Sequence, residues 1–271
     1  MNRIDRRFAE LASRGRTGLI PFVTAGDPSA AATVPVLHAL VEAGADVLEI
    51  GVPFSDPMAD GPTIQRASER ALAKGTGLRS VLAMVAEFRQ RDAETPIVLM
   101  GYLNPFERDP GNVFGDCAHA GVDGVLLVDC PVEEADALRA RLDAAGIEQI
   151  FLAAPTTTPE RVAAIGERAR GFVYCVAFSG VTGAHHLAFD EIHARIAQMR
   201  LALRAPIAVG FGIKEPGDAV RIARGADAVV IGSALVAVLA DADSTDDAAR
   251  RAAAFLAPFR AALDSRGAGV D

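Results

Sequence analysis

The feature that most constrains the fold is a short motif that recurs four times, a glycine followed two residues later by an acidic residue. Each copy ends a stretch of helical periodicity and comes just before an apolar stretch, at residues 43–46, 120–123, 145–148 and 224–227. Glycine readily adopts the left-handed conformation that ends a helix. Gly121, Gly146 and Gly171 follow one another at intervals of 25 residues, the length of one strand and one helix. The repeat therefore predicts a chain of strand-helix units.

Eight such units are predicted, with strands at 18–24, 47–51, 97–102, 124–128, 149–153, 172–177, 207–209 and 228–231. This alternation favours a (β/α)8 TIM barrel made of a single domain, residues 1–271, with an extra N-terminal helix and a short phosphate-binding helix after strand eight. The stretch after the third strand, 103–112, is predicted to be a loop. A doubly wound sheet also alternates, but it more often carries GxGxxG after its first strand, where this chain has TAGDPS.

Composition excludes several classes of function. The net charge of -8 argues against a nucleic-acid-binding protein, which needs clustered Lys and Arg. The three cysteines are widely separated, without the spacing of a disulfide framework or a metal site, which favours a reducing compartment. No apolar run reaches the roughly 18 residues of a membrane span. The Arg-rich start contains Asp5 and Glu10, so we interpret it as an amphipathic helix and expect a cytoplasmic protein.

The segment 48–61, LEIGVPFSDPMADG, brings two acids to one predicted strand end. Strand alternation sends Glu49 to the face opposite Leu48 and Ile50. Asp60 follows on a loop rich in proline, and barrel active sites gather on such loops after the strands. An acid at a strand end is about as often an ion-pair partner as a catalyst. Asp56 and Asp60 also fit a turn-capping role.

Glycines follow the last three predicted strands. Gly183 comes after strand six, Gly212 after strand seven, and Gly232 with Ser233 opens a short helix after strand eight. Glycines let backbone N–H groups approach an oxyanion, and a helix N-terminus adds unpaired donors. Each glycine alone would indicate only a turn. Together they predict a phosphate-binding cradle that needs no Lys or Arg.

Several segments resemble the tryptophan synthase alpha subunit family. LEIGVPFSDPMADGPTIQ is similar to the signature of that family throughout, and PFVTAGDPS, GYLNPF, VDCPVEE, GVTGA, VGFGI and IGSALV follow in the expected order. The resemblance covers nearly the whole chain. It implies a lyase of tryptophan biosynthesis that cleaves indole-3-glycerol phosphate by a retro-aldol step to indole and glyceraldehyde 3-phosphate, with no metal or cofactor in this chain.

The resemblance also implies a role for each site residue. Glu49 would be the acid/base, and Asp60 would accept a hydrogen bond from the indole N–H and balance positive charge on the ring. Residues implied to line the indole slot are Phe22, Met100, Tyr102, Leu152, Tyr174, Thr182 and Phe211. Gly183, Gly212, Gly232 and Ser233 would hold the phosphate. Without the resemblance, the aromatic residues would be interpreted as core.

A partner is implied as well: a tryptophan synthase beta chain that carries pyridoxal phosphate, in an α2β2 heterotetramer. The docking residues expected at the mouth are Pro53, Asp56, Pro57, Asn104, Phe106, Pro131 and Glu134. The chain departs from the family after strand six, where Ala177-Phe178 replaces the Ser-Arg of many members, and His185-His186 is unusual. Closure of the loop after strand six is therefore the family property that this sequence supports least.

Two other classes of function stay open at this stage. A different phosphosugar barrel enzyme, such as an isomerase or epimerase, would share the phosphate cradle but place its catalytic Glu or Lys elsewhere. A catalytically silent regulatory subunit would share the fold, but the presence of both Glu49 and Asp60 counts against it. Fold alone does not choose among these classes.

Overall fold

The strands form one parallel sheet in the computed structural model, which describes residues 1–108, 111–177, 189–210 and 212–265. In chain order the strands are β1 (Gly18–Thr24), β2 (Leu48–Gly51), β3 (Ile97–Gly101), β4 (Gly124–Leu127), β5 (Glu148–Gln149), β6 (Phe151–Ala153), β7 (Val173–Val176), β8 (Ile207–Gly210) and β9 (Ala228–Ile231). Their order in the sheet is β5-β4-β3-β2-β1-β9-β8-β7-β6. All neighbouring pairs are parallel.

The two edges of this sheet are consecutive pieces of one strand. β5 pairs with β4, and β6 pairs with β7, so the fifth predicted strand joins the two ends of the sheet. Ile150, between the two pieces, donates its backbone N–H to the Val125 oxygen at 2.8 Å. The sheet is therefore a nearly closed barrel, and the predicted (β/α)8 fold is confirmed, with strand five divided at Ile150.

Twelve α-helices lie within the described ranges. They are α1 (Arg3–Ser13), α2 (Ala30–Glu42), α3 (Pro62–Ala73), α4 (Leu78–Arg89), α5 (Leu103–Glu107), α6 (Val113–Ala120), α7 (Ala135–Ala145), α8 (Pro159–Arg168), α9 (Phe189–Arg200), α10 (Pro216–Ile222), α11 (Ser233–Ala240) and α12 (Thr245–Ser265). α1 is the predicted lead-in helix, and α11 is the predicted short helix after the last strand. None of the helices in these ranges is both long and apolar enough to cross a membrane.

The short helix α5 lies where a loop was predicted. The Asp129 carboxylate accepts a hydrogen bond from the Leu103 N–H at 2.7 Å, which satisfies a free donor of the first turn. Phe106 is fully buried, and its ring stacks on Phe114 with centroids 6.0 Å apart. The loop prediction was wrong because the contacts that stabilise this short helix come from residues outside it, Phe114 and Asp129.

Apolar side chains fill two layers, one on each side of the sheet. The layer between strands and helices contains Leu48 and Ile50, whereas Val47 belongs to the barrel interior. α1 closes the end of the barrel at which the strands begin: Ile4, Phe8 and Leu11 pack into the interior layer. Burial of side chains of this size contributes roughly 2 kcal/mol each. α1 does not cover the opposite end of the barrel, where the strands finish, so a functional site can form there.

The acidic residue of the repeated motif has a structural role. In three copies, its carboxylate accepts a hydrogen bond from one backbone N–H group near the start of the strand that comes before it in the chain. The pairs are Asp46 with Leu19 at 2.9 Å, Asp123 with Ile97 at 2.9 Å and Asp227 with Ile207 at 2.7 Å. Gly44, Gly121 and Gly146 have the predicted positive φ, but Gly225 does not. The motif therefore joins neighbouring strands as well as ending helices.

Candidate active site

Glu49 points into the barrel from the middle of β2. Its register partners are Phe22 on β1 and Val98 on β3. Leu48 and Ile50 face the helices, so the predicted alternation across this strand is confirmed. Glu49 is only 1% exposed, and its Oε1 has no hydrogen-bond partner among the described residues. A carboxyl group buried in this way favours its neutral, protonated form.

Asp60 lies on the loop between β2 and α3. The loop folds back through a hydrogen bond from the Asp60 N–H to the Pro57 oxygen at 3.0 Å. Gln65 donates from Nε2 to the Asp60 backbone oxygen at 2.9 Å. The Tyr102 hydroxyl accepts a hydrogen bond from the Ala59 N–H at 2.9 Å, and its interaction with the Asp60 carboxyl favours the charged form of that acid. Contacts from α3 and from the end of β3 thus hold this acid at the barrel mouth.

The two acids have different proton affinities. Burial raises the pKa of Glu49 to about 8, and the negative charge of Asp60 adds to the shift. Burial also raises the pKa of Asp60 to about 6, although the interaction with Tyr102 opposes that rise. At neutral pH, Glu49 is therefore mainly protonated and Asp60 mainly ionised. Such a separation of two neighbouring carboxyl groups is typical of an acid/base pair.

Both acids line one cavity of about 510 Å³ at the ends of the strands, within the range of small-molecule sites. Its wall is mostly apolar. The predicted slot residues Phe22, Met100, Leu152 and Tyr174 line it. Sequence reasoning missed the further apolar wall residues Ile64, Val128, Val176 and Val230. The period-two pattern of the strands could have found the last three, because each continues an inward-facing row.

Tyr102 lies beside the cavity, not among the residues of its wall, and stacks on Phe54 with ring centroids 5.2 Å apart. Its hydroxyl accepts the Ala59 N–H and so braces the loop that carries Asp60. Its place in the slot stays a prediction. Thr182 and Phe211, also predicted for the slot, lie outside the described residues.

The predicted phosphate cradle lies at the same cavity. Gly212, Gly232 and Ser233 line the wall, with Gly232 and Ser233 at the first turn of α11. Gly212 has φ of 83°, a conformation that favours glycine. Gly183 lies outside the described residues, as do Phe178, His185 and His186. The helix N-terminus offers free N–H donors toward an anion.

The expected docking residues differ in accessibility. Asp56, Asn104 and Glu134 are exposed, and Pro57 and Pro131 are half-buried. Pro53 and Phe106 are buried within the barrel itself, so these two side chains are not free to contact a partner. In the part of the chain that the structure describes, no three His, Cys, Asp or Glu side chains are grouped as a metal site requires.

Known proteins resemble this chain over almost its whole length. The sequence model of the family described as tryptophan synthase alpha chain matches residues 8–264. A tryptophan synthase alpha chain from Xanthomonas oryzae pv. oryzae (strain MAFF 311018) is 58% identical over 268 residues, covering 97% of this chain and 99% of that protein. One from Xylella fastidiosa (strain M12) is 56% identical over 266 residues, with 98% and 99% covered.

A solved structure gives the same result. The crystal structure of tryptophan synthase subunit alpha from Legionella pneumophila str. Paris superposes with a TM-score of 0.91 at 42% identity, covering 98% of this chain and 99% of that one. This chain is therefore similar to tryptophan synthase alpha chains in both sequence and fold over almost its full length. The chain belongs to the tryptophan synthase alpha chain family.

Proposed function

We propose that the cavity containing Glu49 and Asp60 is where this lyase cleaves indole-3-glycerol phosphate to indole and glyceraldehyde 3-phosphate, a step of tryptophan biosynthesis. The observation that carries the proposal is the placement of a neutral acid and an anionic acid on the wall of one apolar cavity. Residues 1–271 would form a single catalytic domain.

Glu49 starts the reaction as an acid. Its protonated carboxyl gives a proton to C3 of the indole ring, which makes the ring a good leaving group. The resulting carboxylate takes the proton of the side-chain hydroxyl next to C3 while the carbon-carbon bond breaks. The bonding electrons return to the ring, the hydroxyl carbon becomes the aldehyde, and Glu49 is again protonated. Proton transfer of this kind is typically worth ~100- to 10,000-fold in rate.

Asp60 acts through charge. Protonation at C3 places positive charge on the indole ring, partly at its nitrogen. An anionic carboxylate that accepts the indole N–H stabilises this charge more than it stabilises the neutral substrate, which lowers the barrier. The apolar wall formed by Phe22, Met100, Leu152 and Tyr174 suits a flat ring and excludes water. Thr182 and Phe211 are proposed to complete that slot.

The phosphate group is proposed to bind at the other part of the wall. Gly212, Gly232 and Ser233 line that part of the wall, and we expect their backbone N–H groups to bind the phosphate, with Gly183 as the fourth proposed member. This division of the cavity matches the substrate, which carries an aromatic ring at one end and a dianion at the other. A sugar phosphate without an aromatic ring would offer no apolar group to contact the apolar wall.

We also propose the beta-chain partner and the location. An α2β2 tetramer would pass indole, which water retains poorly, directly to a beta chain that holds pyridoxal phosphate; this chain itself would hold no cofactor. The exposed residues Asp56, Asn104 and Glu134 remain the proposed docking positions. The three cysteines are unpaired and buried, which supports a reducing cytoplasm.

The test is spectroscopic detection of indole from indole-3-glycerol phosphate, with and without a beta chain. The expected result is release of indole and glyceraldehyde 3-phosphate in equal amounts. Isomerisation of a sugar phosphate without indole release would support the other class of phosphosugar enzyme. Purified chain that stays inactive even with the beta chain present would contradict the proposal.

A further inference from the structure

The cavity wall has an uneven distribution of charge. Glu49 and Asp60 supply the acidic groups of the indole part, of which Asp60 is the charged one at neutral pH, while Lys214 is the one basic residue among the described residues of the wall. Lys214 follows Gly212 by two residues and precedes α10, so it belongs to the phosphate part of the cavity. We infer that Lys214 supplies the cationic side chain that binds the substrate phosphate, in addition to the backbone N–H groups of the glycines. The inference rests on the proposed function.

Electrostatics gives the first reason. A phosphate monoester carries a charge of about -1.5 to -2 at neutral pH. This dianion must enter a cavity that already contains an ionised Asp60, in a chain with a net charge of -8. Glycine N–H groups and a helix N-terminus offer only partial charges. One full positive charge beside them offsets repulsion that dipoles alone leave uncompensated.

The accessibility of the Lys214 ammonium group gives the second reason. Its side chain is exposed, and no carboxylate of the described residues forms an ion pair with it. The ammonium group is therefore not committed to a protein anion. Lysine binds phosphate as a mobile point charge on a long flexible stem, so it can reach a ligand that binds beside Gly212. The backbone at Gly212 and the side chain at Lys214 thus act on the same group.

Kinetics of full-length variants test this role. Lys214→Met keeps the length of the side chain and removes its charge, and Lys214→Arg restores the charge. We expect Lys214→Met to raise KM for indole-3-glycerol phosphate about 5- to 20-fold with little change in kcat, and we expect Lys214→Arg to recover most of the loss. The difference should shrink at high salt, because screening weakens an exposed charge.

A matched control separates local charge from net charge. Arg204 is exposed and lies before β8, at the end of the barrel away from the cavity. Arg204→Met changes the net charge by the same amount and should leave KM unchanged. Cleavage by the wild-type chain tests the proposed function separately. Normal wild-type cleavage combined with an unchanged KM in Lys214→Met would overturn this inference and leave the proposed function intact.

A binding measurement gives a second readout. The chain has two lysines, Lys74 and Lys214, so ¹³C reductive methylation gives few signals for NMR, and Lys214→Arg assigns them. Lys74 donates to the Pro28 oxygen and is absent from the cavity wall, which makes it the internal reference. The Lys214 signal should shift with indole-3-propanol phosphate but not with indole-3-propanol. Equal responses to both compounds would contradict phosphate binding by Lys214.

Discussion

The hydroxyl group of Tyr102 interacts with the carboxyl group of Asp60 at the barrel mouth. The same hydroxyl accepts the Ala59 N–H at 2.9 Å, so one side chain after β3 holds both the acid and its backbone. This contact lowers the pKa of Asp60 against the effect of burial. It keeps Asp60 anionic in a setting that would otherwise favour the neutral acid.

Tyr102→Phe should weaken catalysis on the acidic side of the pH range. Loss of the hydroxyl removes an interaction that favours the charged form of Asp60, so the pKa of that carboxyl should rise further. We expect kcat/KM near pH 6 to fall about 3- to 10-fold, with a smaller loss near pH 8. The pH dependence of kcat/KM measures this shift.

Phe54→Leu is the control for that variant. It removes the ring that stacks on Tyr102 and leaves the hydroxyl in place. The acidic limb of its kcat/KM profile against pH should stay near that of the wild type. If Tyr102→Phe and the wild type share the same acidic limb, the Tyr102 hydroxyl does not tune Asp60.

The wild-type pH profile of kcat/KM should be bell-shaped. Below the pKa of Asp60, about 6, the charge-balancing anion is lost. Above the pKa of Glu49, about 8, the acid has no proton to give. Activity should therefore be highest between these two values. A flat profile from pH 5 to pH 9 would show that neither group titrates in the reaction.

Stability should depend on pH through Glu49. Its pKa is about 8 in the folded chain and near the ordinary 4.5 in the unfolded chain, so folding favours the protonated form. The contribution is fully present below the unfolded value and is lost as pH rises through 8. By linkage, the loss is on the order of 5 kcal/mol.

Urea unfolding of the wild type and Glu49→Gln at pH 5, 7 and 9 measures this effect. The amide in the variant cannot ionise, so the variant should gain stability relative to the wild type as pH rises. A difference that stays constant across the three pH values would mean that Glu49 is not protonated in the folded chain.

Gly212→Val should weaken binding of the phosphorylated substrate. Valine strongly disfavours the φ of 83° found there, and its side chain competes with the phosphate for the cavity wall. We expect KM to rise about tenfold or more. Gly217→Val on α10 is the control, because a Cβ there meets open space and no cavity wall. Equal KM values for the two variants would count against the cradle.

The direction of Glu49 was predictable because strand alternation is a local property. The barrel was predictable for the same reason, since its units repeat along the chain. The division of strand five at Ile150 and the helix α5 were not, because they depend on pairing with β4, β7 and Asp129 across the fold.

The contact of Tyr102 with the Asp60 loop and the place of Lys214 on the cavity wall were not predictable, for a related reason. A tyrosine at a strand end is equally consistent with lining a cavity and with bracing a neighbouring loop. Only the path of residues 57–60 decides between them, and proline-rich loops have no periodicity that sequence can report. Lys214 is a single charged residue in a loop, and its meaning depends on the acids that share its cavity.

The role of Glu49 is tested by the single-turnover rate of indole release in Glu49→Gln, measured together with the dissociation constant for indole-3-propanol phosphate. The amide can neither give nor take the proton. We expect a rate at least ~100-fold below the wild type with an almost unchanged dissociation constant. A rate within a few-fold of the wild type would contradict the assignment of Glu49 as the acid that cleaves the carbon-carbon bond.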